Sequence, residues 1–258
     1  MKNLVVLFSF LTFFSCSKNS KNGTIQNKQD LINYVNPFIG TGGHGHTYPG
    51  TTLPFGMMQL SPDTRLEGWD GCSGYHYSDE YIYGFSHTHL SGTGVSDYGD
   101  ILLMPTNEIN FHNGADGVKG YRAHFSHENE EASPGYYKVK LDTTNIEVEL
   151  TVSKRSGIHQ YQFPSAENQV VMLDLIHRDK VLDAKIDKLT ETEIQGYRFS
   201  EAWATDQRLY FYIKTSHPFK DMLQSPPVQG MPGGRKSALT FINPTNEPII
   251  IKIGISAV

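Results

Sequence analysis

Cysteine is scarce in this chain of 258 residues: there are two, Cys16 and Cys72. Cys16 closes an N-terminal leader, so Cys72 would stand alone in the mature body and an intrachain disulfide framework is excluded. It lies in a Gly-rich turn without a nearby His or Asp at a nucleophile's spacing, so a packed, inert thiol is expected. Basic runs are also missing. Lys and Arg number 22 against 27 Asp and Glu, for a net charge of −5, which leaves a nucleic acid no electrostatic footprint. A serine nucleophile elbow is absent, because Gly71-Cys72-Ser73-Gly74 has the wrong spacing. Gly92-Thr93-Gly94 is too short for a phosphate loop and no Lys follows it. No internal repeat is evident.

Residues 4–14 form an apolar leader-like run with Ser9 and Thr12 as its only polar members, preceded by Lys2. It is too short to span a bilayer as a mature helix, and reads as a signal peptide. Ser15-Cys16 at its end, followed by polar Ser17-Lys18-Asn19-Ser20, resembles a bacterial lipobox with Cys16 as the lipidated residue. An ordinary secretory signal with an incidental Cys16 is the alternative. The expected division is therefore a leader over residues 1–16, a flexible tether over 17–30 and one domain over 31–258. The expected location is that of an exported lipoprotein, in the periplasm or at the outer surface, held to the membrane by a lipid anchor.

What is abundant points to strands. There are 14 Tyr, 14 Phe, 24 Gly and 13 Pro, the mixture of aromatic strands and tight turns. Ile146, Val148, Leu150 and Val152 alternate with Glu147, Glu149, Thr151 and Ser153, which puts one face on a core and the other in water. Tyr137, Val139 and Leu141 alternate likewise, and His159, Tyr161 and Phe163 extend the pattern. Residues 170–176, 208–213 and 249–255 are more continuously apolar and predict central strands. Ser133-Pro134-Gly135, Ser156-Gly157 and Asn243-Pro244-Thr245-Asn246 predict turns between them, and residues 29–34 a short helix before Pro37. The fold class expected is all-β, an antiparallel β-sandwich. Residues 36–105 show little alternation and many Gly, His, Tyr, Asp and Ser. So long an irregular stretch is expected to carry the functional loops.

Four groups of residues could carry chemistry. His44 with His46, and His87 with His89, place imidazoles two apart, but neither pair has a third ligand at standard metal spacing. Histidines that hydrogen-bond loops or line an interface are the simpler reading. Trp69 and Asp70 stand among glycines in Gly68-Trp69-Asp70-Gly71. An indole can cover the apolar face of a pyranose while a carboxylate accepts from its hydroxyls; a core Trp beside a turn-capping Asp fits the sequence equally. Asp97 and Asp100 flank Tyr98-Gly99 and could form an acid–base pair, which in inverting glycosidases stands roughly 6.5–9.5 Å apart. Asx turns at a loop-to-strand junction are the simpler account.

Longer runs add a resemblance. Tyr34-Val35-Asn36-Pro37-Phe38-Ile39-Gly40-Thr41-Gly42-Gly43-His44-Gly45-His46-Thr47-Tyr48-Pro49-Gly50 resembles the N-terminal signature of glycoside hydrolase family 92. Leu53-Pro54-Phe55-Gly56-Met57-Met58, Tyr83-Gly84-Phe85-Ser86-His87-Thr88-His89 and Asp97-Tyr98-Gly99-Asp100 continue it, as do Gly196-Tyr197-Arg198 and Trp203-Ala204-Thr205-Asp206-Gln207. The resemblance covers about residues 31–258. It implies the β-sandwich lobe of a calcium-dependent (Ca2+), inverting, exo-acting α-mannosidase, with α-1,2-linked mannose-rich glycans as the expected substrate. It further implies a larger C-terminal (α/α)6 barrel that supplies the general acid, the general base and most calcium ligands. On that reading no catalytic or metal residue lies in this chain, which is expected to be inactive alone. Trp69, Asp70, His87 and His89 are the expected sugar contacts, and Gly43, His44 and His46 the expected lobe interface. A stand-alone glycan-binding lipoprotein remains the alternative, with a metal protein built on the two histidine pairs behind it.

Overall fold

The computed structural model describes residues 31–227 and 234–257. Cys16 and the tether fall outside them, as do Gln29 and Asp30 of the expected helix, of which Leu31 and Ile32 are helical. Among the described residues sixteen strands, numbered in chain order, form two antiparallel sheets. The larger runs β11 (Lys180–Lys188), β12 (Glu193–Glu201), β13 (Gln207–Thr215), β16 (Ile249–Ser256), β9 (Ser156–Gln162), β8 (Ile146–Val152), β7 (Tyr136–Leu141), β6 (Ala123–Ser133), β3 (Tyr81–Ile82). The smaller runs β1 (Thr51–Thr52), β2 (Gln59–Asp63), β4 (Gly84–Ser86), β5 (Leu102–Thr106), β10 (Val170–Asp174), β15 (Lys236–Phe241), β14 (Phe219–Gln224).

Alternation places the core as the sequence predicts in β7 and β8. Tyr137, Val139, Leu141, Ile146, Val148 and Leu150 are buried, while Lys138, Lys140, Glu147 and Glu149 face outward. The cross-strand pairs Tyr137↔Leu150 and Val139↔Val148 stack these buried side chains on one face. β10 is buried at every position, between β5 and β15. Burying one apolar side chain of this kind is worth about 1.5–3 kcal/mol, so the inner faces hold the lobe together.

Two expectations need correction. Residues 208–213 and 249–255 are central but not buried on both faces: β13 and β16 alternate, with Tyr210, Tyr212 and Lys252 turned outward. Tyrosine and isoleucine tolerate a half-exposed strand face, so apolar composition hid the period. Ser156-Gly157 is strand, not turn: both residues pair with β16, and Gly157 also pairs with β8. The chain reverses just before it, where Ser153 N–H bonds to Ser156 O.

The irregular stretch is not strand-free either. It contributes β1 to β5, four of which build one side of the smaller sheet. Between these short strands lie long connections, residues 64–80 and 87–101. With residues 40–50, they form one tied loop face. Tyr77 N–H bonds to Thr41 O at 2.9 Å and Gly92 N–H to His46 O at 2.6 Å. Ser73 Oγ donates to Thr47 O at 2.9 Å.

Candidate functional site: the Trp69 loop face

Trp69 lies in the connection between β2 and β3 and is 64% exposed, which is unusual for so large an apolar side chain. The ring does not float. Its six-membered part lies against the backbone of Gly94, where a β-carbon would come within 2.1 Å of Cη2. His46 packs edge-on to it, ring centroids 5.1 Å apart and planes at 82°. The next residue, Asp70, accepts from His44 Nδ1 at 3.0 Å. That bond is the main cause holding the Asp70 carboxyl below its ordinary range. His44 itself is 90% exposed. Trp69, Asp70, His44 and His46 therefore share one surface. Gly43 stands beside them at a positive φ of 59°, and its carbonyl accepts from His76 Nε2 at 3.0 Å.

The loop carrying Trp69 is joined to the loop carrying Gly94. Cys72 Sγ donates to Thr93 O at 2.9 Å, and burial pushes its thiol pKa up, so it is the inert packed thiol expected. The second loop then reaches the β12–β13 hairpin: Asp97 Oδ2 accepts from Ala204 N–H at 2.9 Å. Trp203, next to Ala204, is the other exposed tryptophan.

His87 and His89 do not join this surface. Both are buried, at 0% and 1% exposure. The expectation that they contact a sugar is corrected: their two-residue spacing puts both rings inward, beneath the loops. His87 Nδ1 donates to Ile101 O, leaving Nε2 to accept from His159 Nε2 at 2.8 Å. His159 Nδ1 in turn accepts from Tyr161 Oη at 2.8 Å. With these donors both imidazoles are neutral. Burial accordingly lowers His87 to about 4 and drives His159 well below its usual value. His89 Nε2 faces Asp63 Oδ1 at 3.4 Å, and His177 Nε2 faces the same oxygen at 3.6 Å. Burial pushes the Asp63 carboxyl up, but His89 and His177 outweigh it and hold it far below the usual range.

Asp97 and Asp100 are engaged structurally. Asp97 Oδ1 also takes the Tyr98 N–H at 2.8 Å. Asp100 is fully buried and pairs with Arg198, while Thr88 Oγ1 and Gln207 Nε2 each donate to it at 2.6 Å. Each oxygen of both carboxylates accepts at least one hydrogen bond from within the lobe. The buried His177 and Arg178 escape sequence reasoning, since their partners are far off in the chain.

Calcium requires roughly six to eight oxygen ligands. Among the described residues no group of three or more His, Cys, Asp or Glu is disposed to hold a metal ion. With Asp70, Asp97 and Asp100 already bonded, these described residues do not fit a calcium site.

Fold and site together define a two-sheet, antiparallel sandwich lobe that presents a rigid aromatic loop face with polar neighbours. Residues 34–256 match the glycosyl hydrolase family 92 N-terminal domain, and the chain belongs to that family. A family 92 α-mannosidase from Bacteroides thetaiotaomicron, solved with mannoimidazole, is 33% identical with a TM-score of 0.79 over 88% of this chain and 32% of its own. An inverting family 92 mannosidase from Bacteroides thetaiotaomicron VPI-5482 is 25% identical with a TM-score of 0.74 over 88% of this chain and 32% of its own. An uncharacterized secreted glycosidase of Arthroderma benhamiae is 30% identical over 58% of this chain and 20% of its own. The chain thus spans about a third of the solved enzymes it matches. The all-β sandwich corresponds to their N-terminal lobe.

Proposed function

We propose that this chain is the sandwich lobe of an exported, inverting exo-α-mannosidase, and that Trp69 forms the apolar platform against which a terminal mannose packs. The observation that carries this reading is the exposed indole, fixed between Gly94 and His46 with Asp70 alongside. A pyranose has one face rich in C–H groups and a rim of hydroxyls. The indole suits the face, and the Asp70 carboxylate and His44 suit the rim. Exposed aromatics with convergent polar groups are the usual make-up of such sites.

The remaining chemistry is assigned to other parts of the full-length protein. A helical barrel packing on Gly43, His44 and His46 supplies the general acid, the general base and calcium. Support for this comes from the relatives' greater length and from the engagement of Asp97 and Asp100 within the lobe. Mannose-rich glycans with α-1,2 linkages are the proposed substrate, and Cys16 the lipid attachment point.

The test is a pair of assays on α-1,2-mannobiose, one with the purified 258-residue chain and one with the full-length gene product. Turnover is expected from the second alone, abolished by EDTA, with β-mannose as the first anomer seen by NMR. Hydrolysis by the 258-residue chain, or an α-anomer as first product, would overturn the reading.

A further inference from the structure

Beneath the loop face, one buried side chain reaches both loops that hold Trp69. We propose that Arg178, in the turn between β10 and β11, is the positioning residue of the Trp69 platform. This rests on the reading that Trp69 meets the sugar, and adds what sets its pose.

The Arg178 side chain is 1% exposed. Its Nη2 donates to Cys72 O at 3.1 Å and also to Ser96 Oγ. The first bond holds the Trp69 loop, since Cys72 N–H closes the turn onto Trp69 O at 3.4 Å. The second holds the other loop two residues beyond Gly94, the floor of the indole. This nitrogen, from beneath, and the Cys72 Sγ–Thr93 O bond together set the spacing between ring and floor.

Two glycines make room for it. A β-carbon on Gly99 would lie 2.6 Å from Arg178 Cδ, and one on Gly74 would lie 3.1 Å from Nη1. Both have positive φ, 74° and 98°, so a side chain there would be strained as well as crowded. Asp63 Oδ1 lies 3.8 Å from Nη1 and balances the buried charge. Arg178 Nε and Nη1 have no hydrogen-bond partner. The hydrogen bonds of this guanidinium therefore go to the two loops. A lysine would end one bond short of Nη2 and would not span them.

The experiment places Ser96→Ala, Ser96→Thr and Arg178→Lys in two backgrounds: the 258-residue chain carrying Trp203→Phe, in which Trp69 is the one tryptophan left to report, and the full-length protein. Acrylamide quenching and anisotropy follow the indole, and mannoside kinetics follow the site. Ser96→Ala keeps the buried arginine and is the variant least prone to misfold. It and Arg178→Lys are expected to loosen the indole and raise KM by on the order of tenfold, with kcat little changed, as for the loss of a binding contact. Ser96→Thr, which keeps the hydroxyl, restores both. Ile146→Val, a core truncation in β8, controls for lost stability and should leave KM and quenching unmoved.

Unchanged Trp69 quenching in folded Ser96→Ala and Arg178→Lys would overturn the proposal. So would an equal rise in KM for Ile146→Val. A loosened indole with unaltered KM would overturn it differently, by showing that Trp69 does not meet the sugar.

Discussion

The six-membered ring of Trp69 rests on the backbone of Gly94, so close that no side chain fits between them. Gly94→Ala would bring a β-carbon to 2.1 Å from Cη2, a distance at which the ring must move. Because the indole is mostly solvent-exposed, the expected stability cost is small, roughly within 1 kcal/mol. The near-ultraviolet circular dichroism of Trp69 should change while the unfolding midpoint in urea stays close to that of the parent. An unaltered spectrum would contradict the contact.

The His87–His159–Tyr161 chain makes stability depend on pH. In the folded lobe His87 titrates near 4 because it is buried, whereas an unfolded imidazole titrates at about 6.5. As pH falls below about 6.5 the unfolded chain takes up a proton that the folded one refuses. Stability is therefore complete above that pH and falls toward pH 4, by on the order of 3 kcal/mol for His87 alone. Urea unfolding at a series of pH values checks this. A flat profile between pH 7.5 and 5 would rule out neutral, buried imidazoles.

Arg198 and Asp100 form an ion pair with neither side chain exposed. Arg198 Nε also donates to Leu175 O, and its Nη1 to Ser200 Oγ, both at 2.9 Å. Removing one partner of such a pair strands the other charge, at a cost of about 3–5 kcal/mol. Asp100→Ala should lower stability by that amount. Asp206→Ala, which removes an exposed pair with Arg208, should change it by less than about 1 kcal/mol. Equal effects would contradict a buried Arg198–Asp100 pair.

Asp70, Asp97 and Asp100 are engaged with the lobe's own donors, and no described group of three or more His, Cys, Asp or Glu is disposed to hold a metal ion, so calcium should find no strong site there. The thermal midpoint of the 258-residue chain is expected to be the same in excess calcium and in EDTA. A calcium-dependent rise would place a metal site within this lobe.

Much of this architecture is legible in the sequence, and the exceptions have physical causes. Ile146, Val148 and Leu150 alternate with charged partners, so the period of β8 is plain. β1 to β5 escaped because they run two to five residues, too short to show a period, and β5 is buried throughout. Trp69 and Asp70 drew attention as an aromatic–acid pair among glycines, and the structure places both on one surface with His44. His87 and His89 share the same sequence character as His44 and His46 but point inward, because their segment follows directly on the buried strand β4. Arg178 was invisible for another reason. Its partners Ser96 and Cys72 are 82 and 106 residues away, and only the closed fold brings them together.

The contact between the Trp69 indole and a sugar is tested most directly by Trp69→Ala in the full-length protein. The parent and variant would be compared for KM and kcat on α-1,2-mannobiose. A rise in KM of about tenfold or more, equivalent to about 1.4 kcal/mol of lost binding, is predicted for a variant that unfolds at the parental midpoint. An unchanged KM in that folded variant would contradict it.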